Sequence, residues 1–235
     1  IHDTAAGTPP ACGSLGWTAP VDLSGATSVL PPGQVRGGNY KAHGGFRFDN
    51  RSDGLLTIAS PIDGVLYRGA AYLEDDFTRP TGRPEIQYLV DIVNACGFMV
   101  RFDHLRTLVP ALKAVFDANV KTGTSSATTS LPAVAVKAGQ AIASEIGHHE
   151  TGVNISFDLG VYDLRRKQTT TRSAAELQAQ GSSPELAWHG VCWYDLFGPA
   201  AAARIRALPA AGGNSASDYC NRVELAHEPD PAQAR

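Results

Sequence analysis

Arg47 and Asp49 stand two residues apart and so share one face of any strand that holds them. Asn154, Ser156 and Asp158 form the polar face of an alternating run from Val153 to Tyr162, opposite Val153, Ile155, Phe157 and Leu159. An arginine and an asparagine can stabilise a developing oxyanion, and the chain has seven histidines from which a proton could be exchanged near neutral pH. His148-His149-Glu150 offers donor atoms in a row, but adjacent imidazoles diverge unless the loop bends, so a solvated loop is the expectation. His189 lies in the aromatic segment Trp188 to Phe197 and is read as a packed histidine beside Cys192. Trp188, Trp193 and Tyr194 could stack on a sugar, yet Val191, Leu196 and Phe197 make the whole segment apolar, which favours core packing. HExxH, GxSxG, the phosphate loop and GxGxxG are all absent from the sequence.

The elements that must position such residues are read as mainly β. The 235 residues include 24 glycines and 15 prolines with only 18% charged, a balance that favours strands and loops over long surface helices. A net charge of −3 with scattered basic residues excludes the footprint of a nucleic-acid binder. No apolar run approaches the roughly 20 residues of a membrane-spanning helix, so no membrane insertion is expected. Residues 1–39 read as an extended lead-in that wraps the core, 40–165 as the β domain, and 166–235 as an extension with an aromatic segment and short helices. Short strands are predicted at 45–49, 55–58, 64–67, 86–93, 98–102, 134–142 and 153–162, with a hairpin turn at Asn94 to Gly97. One helix is predicted over Leu108 to Val120 behind Pro110, and further helices over 173–180 and 200–208. Residues 121–130 read as a loop, and the tail from Ala226 should fray.

Cys12, Cys96, Cys192 and Cys220 lack zinc-site spacing and read as two disulfides, Cys12 with Cys96 and Cys192 with Cys220, among three connectivities that sequence leaves open. The disulfides imply a secreted or periplasmic location. The chain begins at Ile1 without a charged or apolar leader, so a secretory signal is either removed or was never there.

Five short signals occur in a telling order: His43-Gly44-Gly45, Ala59-Ser60-Pro61-Ile62-Asp63-Gly64-Val65, Phe102-Asp103-His104-Leu105, Val136 to Ala143, and Asn154-Ile155-Ser156-Phe157-Asp158-Leu159. Together they make residues 40 to 162 resemble the lysostaphin/LytM-type zinc peptidases. The resemblance implies a LytM/lipoyl-like antiparallel β-sheet groove, with the small C-terminal extension linked by a disulfide. It places His43 at a zinc ligand, Gly45 at the motif glycine and His104 at the catalytic histidine. It also puts Arg47 where the family has an aspartate ligand, Asn154 at a second catalytic histidine and Ser156 at the last zinc ligand, while Asp158 keeps the acidic end.

A catalytic zinc wants three protein ligands, and a guanidinium that stays protonated cannot be one. Like charges about 4 Å apart repel by about 4 kcal/mol per unit charge product at an effective dielectric constant near 20. The expectation is therefore no cofactor, the one escape being a zinc held by His43 and Asp49 after a register shift. On the implied fold His43, Arg47, His104, Asn154, Ser156 and Asp158 converge, with Tyr40, Asp49 and Arg101 as neighbours. His104, His43, Arg47 and Asn154 are the catalytic candidates, and Tyr40, Ser156, Asp158 and Arg101 the substrate-binding ones. The leading expectation is a secreted domain that binds a cell-wall or acidic polysaccharide, or a partner enzyme, in the former active-site groove. The alternative is an enzyme in the same groove: a hydrolase or metal-free polysaccharide lyase using His104 with Arg47 and Asn154, or a peptidoglycan peptidase with a rebuilt metal site.

Overall fold

The computed structural model describes residues 10–13, 17–74, 85–147, 155–167, 172–211 and 216–220. Its strands are β1 (Ser28–Leu30), β2 (Gln34–Arg36), β3 (Asn39–Lys41), β4 (Gly44–Arg47), β5 (Ile58–Ala59), β6 (Gly64–Glu74), β7 (Glu85–Val93), β8 (Phe98–Leu108), β9 (Thr129–Val136), β10 (Ala141–Ile146) and β11 (Ser156–Asp163). The helices are α1 (Pro110–Asn119), α2 (Ala174–Ala179), α3 (Pro184–Ala187) and α4 (Pro199–Ala207). One nine-stranded sheet runs in the order β1-β4-β11-β8-β7-β6-β9, with β10 branching from β8 to pair β5, while β2 and β3 form a separate hairpin. Every ladder is antiparallel. The molecule is mainly β, with two disulfides, as the composition requires.

Period-two alternation sorts the side chains between two faces. Phe46 of β4, Phe157, Leu159 and Val161 of β11, Val100 and Phe102 of β8, and Val90 and Ile92 of β7 bury together in the main core. The alternation read over 153–162 holds where it is described, since Ile155, Phe157 and Leu159 are buried while Ser156 and Asp158 turn to the other face. That second face carries Gly45 and Arg47, Ser156 and Asp158, Arg101 and Asp103, Gln87 and Asp91, and Tyr72. At one end it is covered by a smaller cluster of Tyr40, Met99, Tyr162, Leu177, Ala187 and Tyr219.

Strand β8 breaks the alternation at one point. Between β7 and β8 the pairs Tyr88↔Leu105 and Val90↔Phe102 set two steps on β7 against three on β8, so β8 carries one extra residue. Phe102 and Leu105 both stay in the core, and Asp103 and His104 both turn to the opposite face. His104 absorbs the irregularity with φ of 62°, the only positive φ outside glycine among the described residues. Left-handed backbone costs a residue with a Cβ about 1–2 kcal/mol. His104→Gly is therefore expected to be more stable than His104→Ala by about 1 kcal/mol, read from denaturant midpoints. Equal stability of the two would show that the bulge stores no strain.

Several element boundaries move. The run predicted at 55–58 yields only the two residues of β5, whereas β6 extends past Tyr67 to Glu74. The single strand predicted at 134–142 splits, because Lys137 to Gln140 turn, with Gln140 N–H donating to the Lys137 carbonyl and Gly139 at φ 79°. Thr129 and Ser130, read as loop, begin β9. The lead-in supplies strand β1, paired with β4. The helix behind Pro110 forms with that proline in its first turn, burying Leu112 and Phe116. A capping box at Ser173 and Glu176 starts α2, and α4 forms where 200–208 is predicted, starting one residue earlier at Pro199 and ending at Ala207.

Cys12–Cys96 and Cys192–Cys220 both form, closing separations of 84 and 28 residues. Loops of such lengths stabilise by about 3–5 kcal/mol each in the chain-entropy model. Among the described residues no helix is long and apolar enough to cross a membrane.

Candidate functional site

The bulge delivers His104 to the centre of the polar face. Asp158 sits opposite Asp103 in the β11–β8 ladder and opposite Gly45 in the β11–β4 ladder. Its Oδ2 is 2.9 Å from His43 Nε2 and 3.7 Å from His104 Nε2, so one carboxylate oxygen serves two imidazoles. The side chains of His43, His104 and Asp158 keep 21%, 30% and 15% of their surface: the cluster is reachable, and its carboxylate is the most enclosed member. His43 Nε2 is itself shielded, and its 2.9 Å contact with Oδ2 is an ion pair when the ring is protonated.

Glycine makes the meeting possible. A Cβ on Gly45 would fall 2.3 Å from the Phe157 carbonyl oxygen and 3.2 Å from Asp158 Cα. Only a bare Cα lets β4 come this close to β11 and carry His43 to Asp158. Arg36 fixes the approach from the hairpin, donating to the His43 carbonyl at 3.1 Å and the Pro31 carbonyl at 3.0 Å.

On the far side, His104 Nδ1 is 2.6 Å from Gln87 Oε1 and 3.4 Å from the Tyr72 hydroxyl, which donates to Asp103 Oδ1 at 2.6 Å. The same Asp103 oxygen accepts the His104 backbone N–H at 2.9 Å.

Burial pushes the Asp158 carboxyl up, but the charges of His43 and His104, the His43 contact and the Arg36 guanidinium outweigh it and hold the group well below the usual carboxylate range. The folded value lies below the unfolded one. The carboxylate therefore adds stability that is complete above the ordinary Asp value near 4 and fades as pH falls through that value towards the folded one. Stability measured against pH should drop on the acid side of about 4, and Asp158→Asn should flatten that limb. An unchanged acid limb in the variant would remove Asp158 from the account.

The remaining candidates fall in different places. Arg47 commits its Nη2 and Nε to Asp49 Oδ1 at 3.0 and 3.3 Å, and Asp49 also takes the Thr27 hydroxyl at 3.4 Å. His43 meets Asp158 rather than Asp49, because Asp49 is drawn to Arg47 and Thr27. Ser156 is half-buried and in register with Arg47. Arg101 grips the fully buried Asp91 with two contacts of 2.8 Å, so its charge is directed into the sheet. Tyr40 is 2% exposed, edge-on to Tyr219 and under the Arg172 guanidinium; it packs the C-terminal extension and does not reach the histidines. Asn154 and His148-His149-Glu150 lie outside the described residues. His189 is packed, with Nδ1 against the carbonyls of Asp163 at 2.9 Å and Arg166 at 2.8 Å. Trp193 is fully buried and Tyr194 nearly so, while Trp188 is half-buried with Lys167 over its ring.

Sequence reasoning missed Tyr72, Gln87, Asp103 and Arg36. The one signal was Phe102-Asp103-His104-Leu105, where two polar residues between two apolar ones break strict alternation and mark a bulge.

Among the described residues no group of three His, Cys, Asp or Glu is arranged to hold a metal ion. The donor set also does not fit a zinc, since the ligand positions implied by resemblance hold a guanidinium and a serine hydroxyl. The fold and site define a mainly β protein whose large antiparallel sheet carries a histidine–aspartate–histidine cluster on its polar face. No family model matches this chain, and neither a curated protein nor a solved structure matches it.

Proposed function

We propose that this chain is a secreted or periplasmic acid/base enzyme that binds a polysaccharide across a LytM-like groove and cleaves it by β-elimination, without zinc. The observation that carries the reading is the sharing of Asp158 Oδ2 by His43 and His104. A carboxylate held well below the usual range is a poor proton donor, so the two-carboxylate route to glycoside hydrolysis is a poor fit. Two imidazoles on that carboxylate are a good fit to elimination, which needs one base and one acid near working pH.

On a uronate unit, His104 Nε2 takes the proton α to the carboxylate. The C4–O bond breaks as the C4–C5 double bond forms, and protonated His43, whose Nε2 is shielded against Asp158, returns a proton from Nδ1 to the departing oxygen. Asp158 stabilises whichever imidazole is charged. Arg47, which also faces Asp49, is the candidate cation for the substrate carboxylate, and Ser156, in register with it, is a candidate for the sugar.

Polymer binding is common to this reading and to one in which the groove only retains a ligand. The built histidine–carboxylate cluster favours turnover. The test is to digest acidic polysaccharides and peptidoglycan in heavy-oxygen water and weigh the products. Elimination leaves the new ends without label, and labelled ends would establish hydrolysis instead.

A further inference from the structure

We infer that Gln87 is a positioning residue that fixes the tautomer of His104, holding the imidazole proton on Nδ1 and presenting Nε2 bare to Asp158 and the cleft. The inference rests on the reading of His104 as the base, because only a bare Nε2 can accept a proton there.

The amide of Gln87 is oriented from behind. Its Nε2 donates to Glu85 Oε1 at 2.9 Å. Glu85 is 3% exposed and its other oxygen faces Arg106 Nε at 3.4 Å, while Arg106 Nη1 reaches Glu145 at 2.9 Å. Flipping the amide would set its carbonyl oxygen against a carboxylate, so Oε1 must point to His104 Nδ1, 2.6 Å away, and can only accept. Tyr72 repeats the instruction. Its hydroxyl hydrogen goes to Asp103 Oδ1, which leaves an oxygen lone pair toward Nδ1 at 3.4 Å. Two acceptors meet Nδ1 within hydrogen-bond distance, whereas Asp158 Oδ2 stands 3.7 Å from Nε2, beyond it, so the neutral ring carries its proton on Nδ1.

The seat is shaped for this amide. Gly147 donates its N–H to the His104 carbonyl at 2.6 Å, and a Cβ on Gly147 would fall 2.4 Å from Gln87 Nε2. Gln87 itself is 1% exposed. A buried glutamine whose two ends are both committed, one to a carboxylate and one to an imidazole, transmits an orientation that an apolar side chain of the same size would not.

The experiment is nuclear magnetic resonance of the full chain with isotope-labelled histidine, recorded at a pH where His104 is neutral. Among the described residues, the charged or titratable groups that face the ring or its carboxylate include Tyr72, Asp103, Asp158, His43, Glu85 through Gln87, and Arg36 and Tyr162 through Asp158. The expected wild-type spectrum has a directly bonded proton on His104 Nδ1 and an unprotonated Nε2. Gln87→Leu should shift the tautomer ratio toward Nε2–H by about five- to tenfold, the factor one hydrogen bond controls. Glu85→Gln, which releases the amide without removing it, should shift it the same way by a smaller factor. Glu85→Gln also serves as the readout if Gln87→Leu does not fold.

A wild-type ring protonated mainly on Nε2, or a ratio unmoved in whichever of these variants folds, overturns the inference. The spectrum reads the free protein, so its outcome is separate from turnover. A fixed Nδ1–H tautomer in a chain that cleaves no polymer would sink the enzymatic reading and leave the positioning intact. A freely exchanging tautomer in an active chain would sink the positioning alone.

Discussion

Replacing His104 by glutamine is expected to cut turnover of the polymer substrate by about 10²–10⁴-fold, the usual worth of a positioned general base. Glutamine keeps the polar bulk and the bulge but cannot exchange a proton, so the loss should fall on kcat with little change in KM. The companion His43→Gln should lose less while elimination is limited by proton abstraction, because the leaving oxygen can draw its proton from water. Binding of the polymer to His104→Gln should persist at wild-type strength, since His104 touches Gln87, Tyr72 and Asp158 without lending a fixed charge to the face. A variant that retains full turnover would remove proton transfer at His104 from the mechanism.

Gly45→Ala is expected to be among the most damaging single methyl groups near the site, alongside Gly44, whose Cβ would stand 2.2 Å from the Leu30 carbonyl oxygen. The Cβ on Gly45 would stand 2.3 Å from the Phe157 carbonyl oxygen, inside a ladder in which Gly45 faces Asp158. Neither partner is the free end of a side chain, so β4 must move away from β11. Overpacking of this kind costs about 3 kcal/mol. The shift also separates His43 from Asp158, because both are carried by the strands forced apart. Chemical denaturation should show the loss, together with a smaller depression of the Asp158 carboxyl. Near-wild-type stability would mean that the two strands are not packed as closely as described.

Much of the fold was legible in the residues because apolar alternation carries it. The alternation that buries Phe157 and Leu159 needs no partner to be read, and the turn at Asn94 to Gly97 announces itself by composition.

 The four cysteines form Cys12–Cys96 and Cys192–Cys220, the favoured one of three connectivities that sequence leaves open. The site was less legible. His43, His104 and Asp158 were named as candidates, but the contacts that organise them come from Tyr72 on β6 and Gln87 on β7, strands whose register no local pattern specifies. The spacing of Arg47 and Asp49 puts them on one strand face in the sequence, but Arg101 looks like a free cation there. Its carboxylate partner Asp91, ten residues away, is evident only once β7 and β8 are set side by side. Tyr40 failed as a groove residue for a related reason: the segment 216–220, tied down by Cys220, returns to cover it.

Proton transfer by imidazoles without a metal ion is tested by a time course of ultraviolet absorbance on a polyuronate treated with the chain in excess chelator. Steady growth of the absorbance of unsaturated uronate ends is expected, at the same rate with and without chelator. Cleavage that stops in chelator and returns on adding zinc, or no cleavage of any acidic polysaccharide, would contradict it.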